Sequence, residues 1–191
     1  ALVARAGPAL GHAVARSDGG FTDGGFTDVG FTDVAGLAYR FLGEEPEPVV
    51  DALLDAAKAG ASAEQLARAL AFAAAMRITR FHTQNDFGDW DTVHHAFTAA
   101  NALHHAIVRA PTPELARGLV HGVLRVHLDR FLNIPPARLP TATTGDLDAL
   151  AECWEVQGEI DHAGDIVWGY LHAGGSRDRL VAALGRALLA E

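Results

Sequence analysis

The sequence predicts an all-α fold, an antiparallel multi-helix bundle, on three observations. Apolar residues recur at helical spacing through most of the chain. No stretch alternates apolar and polar residues with β-branched enrichment, and helix start and stop signals follow one another at short intervals. Short connections favour antiparallel neighbours. With 191 residues the chain is long enough to bury a core without disulfides or a structural metal.

Taken in order, residues 1–16 have helical propensity interrupted by Pro8, which predicts one short or broken helix. Three copies of Phe-Thr-Asp follow, placing Phe21, Phe26 and Phe31 five residues apart. Five residues turn about 140° around a helix, so the rings cannot form one stripe. Gly19, Gly20, Gly24, Gly25 and Gly30 loosen the backbone, and the expectation is a loop whose aspartates lack the EF-hand spacing. The plan is therefore an N-terminal helix and Gly-rich loop over 1–32 and a single helical domain over 33–191.

Asp33 caps VAGLAYRFL, which Gly43 ends; Pro46 or Pro48 opens VVDALLDAAKA, which Gly60 ends. Ser62-Ala-Glu-Gln65 is a capping box for a helix running to about His82, with Ala71, Ala74, Ile78 and His82 on one face. TQNDFGDW breaks it, and Asp89 or Asp91 caps a helix to Arg109. Thr112-Pro113-Glu114 starts the next, to about Asn133. NIPPARLPTATTG carries too many prolines for a helix. Asp146 to His172 reads as one long helix ended by Gly174-Gly175, and Ser176 caps the last.

Composition narrows the function. A formal charge of −9 and a pI near 5.5 leave no basic stripe for phosphate backbones, which argues against nucleic acid and against an anionic membrane surface. No run approaches the roughly 18 apolar residues of a membrane span. Cys153, alone and among apolar residues, forms no internal disulfide and suits a reducing compartment. The expectation is a soluble cytoplasmic protein. Residue 1 is not Met and Glu191 lies inside an amphipathic pattern, so a natural chain extending past either end is expected.

Chemistry concentrates between Arg80 and Arg109, which holds His82, His94, His95, His104 and His105. On the 91–109 helix Val93, Phe97, Ala100, His104 and Ile107 share the core side, while His94, Thr98, Asn101, His105 and Arg109 share a polar side. His127 falls with Val120, Leu124 and Phe131 and is expected to be buried, with a carbonyl or carboxylate for its ring. Glu152, Glu155, Glu159 and His162 form a continuous line if 146–172 is one helix, and repulsion along it invites a cation.

Glu159-x-x-His162 and Asp91-x-x-His94 each set a carboxylate and an imidazole one turn apart, resembling half of the ligand set of ferritin-like di-iron or di-manganese proteins. The other glutamates of that set are missing; only His82, Asp86 or Asp129, at helix ends, stand in for them. Asp91, His94, His95, Glu159 and His162 are the candidate ligands for iron or manganese, with the 91–109 helix packed on the helix bearing Glu159 and His162. Haem is the alternative, with His82 or His104 as axial ligand and no Cys-x-x-Cys-His attachment. Without a metal, His82 oriented by Asp86 or Asp91 serves as a general base.

FHTQNDFGDWDTVHHAFTAANALHHAI, continuing into LDRFLNIPPARLP, resembles a helical region of bacterial proteins that carry a Rieske-type two-iron two-sulfur ferredoxin module, over about residues 70–140. The resemblance implies a ferredoxin-like electron donor, downstream or on a partner, since one cysteine cannot build that cluster here. It places His82, Asp91, His94 and His95 at the matching positions. The leading expectation is a metal-dependent redox or oxygen-handling domain acting on a small-molecule substrate. Its rival is a non-catalytic helical ligand-binding or protein-interaction domain.

Overall fold

The computed structural model describes residues 2–17, 33–134, 136–141, 145–154 and 159–189. The Phe-Thr-Asp repeat as far as Thr32, and Glu155, lie outside them. Eight α-helices and three short 3-10 turns make up the described residues, which contain no strand; one isolated antiparallel bridge joins Phe81 to Pro136. No described helix is long and apolar enough to cross a membrane. The chain divides into two compact units, residues 1–137 and 138–191.

The first unit holds α1 (Leu2–Ser17), α2 (Val34–Phe41), α3 (Pro46–Lys58), α4 (Ala63–Ile78), α5 (Phe87–Arg109) and α6 (Pro113–Leu128). Proline inside α1 does not break it. Its apolar face, Ala6, Leu10, Ala13 and Val14, is buried in the common core, and that burial outweighs one lost backbone bond. Arg16 then reaches across to the carbonyls of Ala57 and Ala61, which end α3 and its turn. Gly60, at φ 108°, is the left-handed residue that lets the chain leave α3.

Local signals set most starts. The Asp33 carboxylate accepts from the Gly36 N–H, Ser62 and Gln65 complete a reciprocal capping box, and Thr112 accepts from the Leu115 N–H with Pro113 behind it. Leu66 and Leu70 of α4, Leu119 and Val123 of α6, and Leu37, Phe41 and Leu53 of the earlier helices fill the core. α6 lies deep among α1, α3, α4 and α5. Gly118 and Gly122 bring it close, since a Cβ at Gly118 would meet the Leu103 methyls at 3.3 Å and one at Gly122 would collide with Leu70.

Three helix ends in the first unit differ from expectation. The first is that of α6, which was expected to reach about Asn133 but stops at Leu128 and runs on as a 3-10 turn over Asp129–Leu132. α4 stops at Ile78, four residues before His82, because Phe81 pairs with Pro136 and pulls the chain out of helical register. α5 begins at Phe87 with Asp86 at its N-cap; Asp89 sits in its first turn, where a carboxylate favours the helix dipole, and Asp91 lies within the helix.

The second unit contains 3-10 turns at Leu147–Leu150 and Glu152–Trp154, then α7 (Ile160–His172) and α8 (Arg177–Leu189). Over the described residues 147–154 these turns stand where one helix over 146–172 was expected, and Glu155 of the expected acidic line lies outside the described residues. Leu147, Leu150 and Cys153 recur every three residues, the period of a 3-10 turn, and this row packs on Ala163, Ile166, Leu180 and Ala183. Glu152 ends in a 3-10 turn and Glu159 at the N-cap of α7. Arg138 and the Thr141 N–H both donate to Asp165 (2.7 and 2.6 Å), pinning the chain before the turns to α7 and holding that carboxyl below its ordinary range.

Candidate functional site

The segment that follows α4 is built into the end of the first unit by one side chain. Asn133, just beyond the 3-10 turn Asp129–Leu132, donates through Nδ2 to the Arg80 carbonyl (2.6 Å). Its Oδ1 accepts from the His82 N–H (3.3 Å) and from Asn85 Nδ2 (2.9 Å). The Ala137 N–H adds a bond to the Arg80 carbonyl at 3.0 Å. Trp90, on the first turns of α5, meets Phe81 edge to face at 5.5 Å and His94 at 5.6 Å. Residues 80–85 are thus held by amides and rings.

Beside this hub lies a buried set of charges. Arg77 is 5% exposed and donates from Nε to the Val126 carbonyl (3.1 Å), where it caps the last turn of α6. Its Nη2 has no partner. Asp129 is 1% exposed; Oδ1 is paired with Arg125 Nε at 2.9 Å and Oδ2 has no partner. Asn85 Oδ1 and Arg130 Nε are also buried without partners. No direct ion pair joins Arg77 to Asp129 among the described residues.

The titration of these groups follows from their surroundings. Burial, then the charges of Arg80 and Arg130 against only Asp129, pushes Arg77 down to about 10. Burial raises Asp129 above its ordinary value, because it outweighs the attraction of Arg125 and Arg77. Arg125 and Arg77 therefore act on the Asp129 carboxylate, while Arg80 and Arg130 act on Arg77. The carbonyl ends of α4 and α6 offset part of the positive charge around Arg77.

The residues singled out in the sequence are dispersed. His82 is half-buried in the loop, not on an inward helix face, and its Nδ1 accepts from the Gln84 N–H (3.1 Å). Among the described residues no carboxylate bonds to the ring. Asp91 instead serves His95, whose Nδ1 lies 2.9 Å from the Asp91 carbonyl and 3.3 Å from its Oδ2, both residues being exposed. His94 is exposed beside Trp90. His104 is half-buried with Nε2 unpartnered; burial, then the neighbouring His105, lowers its pKa.

Glu159 and His162 belong to the second unit, where His162 is exposed, while Asp91, His94 and His95 belong to the first. Among the described residues no group of three or more His, Cys, Asp or Glu is arranged to hold a metal ion. His127 is buried as expected, its Nδ1 lying 3.1 Å from the Gly43 carbonyl. Cys153 is a buried thiol against the Ala149 carbonyl, raised by burial and then by Glu159 and Glu152.

Sequence reasoning passed over Arg77, Asn85 and Asn133, and considered Asp129 only as a stand-in ligand. One signal was available: Arg77 continues the apolar row Leu70, Ala73, Ala74 of α4, and a charge on such a row must find partners inside. No protein-family profile, curated protein or solved structure matches this chain.

Proposed function

We propose that the chain is a non-catalytic helical ligand-binding domain whose ligand is held at the end of the first unit, by residues 77–85 of one segment and 126–133 of another. One observation carries this reading: Arg77 Nη2, Asp129 Oδ2, Asn85 Oδ1 and Arg130 Nε are all buried with their hydrogen-bonding capacity unused. Each unmet group costs about 1–3 kcal/mol. A fold tolerates several together where something else completes them. The surrounding backbone is held by Asn133 and the Phe81–Pro136 bridge, so the groups are positioned before a ligand arrives.

The test is an amide NMR titration of the whole chain with small acids, amides and alcohols. Shifts confined to residues 77–85 and 126–133, with no turnover of the added compounds, are the expected result. Shifts centred on Asp91, His94 and His95, or a stoichiometric transition metal in the purified protein by elemental analysis, would return the function to the metal-dependent redox reading.

A further inference from the structure

We infer that this site takes a phosphate group that keeps one proton, with Arg77 as its buried anchor. The inference rests on the placement of the ligand proposed above and adds its chemical class. Two of the unpartnered atoms are donors, Arg77 Nη2 and Arg130 Nε, and two are acceptors, Asp129 Oδ2 and Asn85 Oδ1. The ligand must therefore accept from guanidinium groups and donate to a carboxylate or an amide oxygen. Charge chooses among the species that do both. The chain as a whole carries −9, yet Arg80 and Arg130 lie close enough to act on buried Arg77, whose one acidic neighbour, Asp129, is also paired with Arg125.

Only Arg125 of the four has an ion-pair partner among the described residues. A neutral ligand leaves the buried Arg77 guanidinium without an anionic partner of its own, and a cation worsens it. A fully deprotonated oxyanion answers the arginines but faces Asp129 with a lone pair. Inorganic hydrogen phosphate answers both: its bare oxygens accept from Arg77 and Arg130, and its O–H donates to Asp129 Oδ2 or Asn85 Oδ1. Arg80, His82 and Arg130 are only half-buried, which gives the cluster a rim toward solvent.

Calorimetric titration of the full chain at neutral pH with inorganic phosphate, glycerol phosphate and sulfate tests this. Phosphate is expected to bind at least tenfold more tightly than sulfate, which has no proton to give Asp129. Glycerol phosphate, whose second proton leaves at about pH 6, should bind more weakly than inorganic phosphate at neutral pH, and equal binding overturns the role of the retained proton. Asp129→Asn should bring sulfate to within about threefold of phosphate, and Arg77→Met, with its helical content checked by circular dichroism, should abolish both. As a second anchor variant, Arg77→Lys should weaken phosphate at least tenfold while keeping the charge. No phosphate binding to the wild type, or undiminished binding to a folded Arg77→Met, overturns the inference. If amides or alcohols shift residues 77–85 and 126–133 while phosphate does not bind, the ligand class fails and the site stands.

Discussion

His104 is a histidine on the core side of its helix whose ring satisfies only part of its bonding. Its Nε2 is buried without a partner, and burial followed by the charge of His105 lowers its pKa below the usual 6.5. In the native state it therefore takes up a proton less readily than in the unfolded chain. The sign is fixed by that difference: the fold loses stability as pH falls from 6.5 to the lower native value, and this contribution is flat beyond. An NMR titration should place the His104 midpoint below 6.5. Denaturation of His104→Leu should show a variant that gains on the wild type between pH 7 and pH 5; a pH-independent difference contradicts the assignment. Arg77 and Asp129 present the same physics in a sharper form, since both are deeper and both carry charge.

At the scale of elements, glycines separate close approach from mere tolerance. Gly122→Ala in α6 gains about 1 kcal/mol of helix propensity. It also drives a methyl into Leu70, which is fully buried and cannot yield without disturbing α4. Overpacking of this kind costs about 1–3 kcal/mol, so the variant should be net destabilised. Gly185→Ala in α8 meets nothing within 4 Å and should stabilise by about 0.5–1 kcal/mol. Urea denaturation of the two variants should give opposite signs; stabilisation by both would mean that α4 and α6 do not pack as closely as described.

The elements whose limits were legible in the sequence are those with local caps. Ser62 with Gln65, Thr112 with Pro113, and Asp33 set their helices by bonds that span three residues. The end of α4, the start of α5 and the break before α7 were not legible, because distant contacts set them. Phe81 leaves the helix to meet Pro136, and the row Leu147, Leu150, Cys153 selects 3-10 turns by the surface it covers. The acidic line expected through Glu152 and Glu159 rested on reading 146–172 as one helix, and residues 147–154 form 3-10 turns instead.

For the whole molecule, the division at 137/138 separates a six-helix unit with one large core from a short unit whose core is a handful of side chains. Residues 1–137 expressed alone should keep their helical circular dichroism and a cooperative thermal transition. Residues 138–191 alone should be marginal, since so short a chain buries too little apolar surface. A non-cooperative melt of the 1–137 fragment would show that the larger unit needs the smaller.

The sequence by itself determined the helical class, most helix starts and the burial of His127, because periodicity and caps are properties of neighbouring residues. It also showed a concentration of histidines, without showing which of them had partners. Only the tertiary structure decided that Asp91 serves His95, that His82 stands outside α4, and that the unmet bonding collects at Arg77, Asn85, Asp129 and Arg130. The physical reason is hydrogen-bond saturation: whether a buried donor or acceptor is satisfied depends on chain segments that meet only in the folded core.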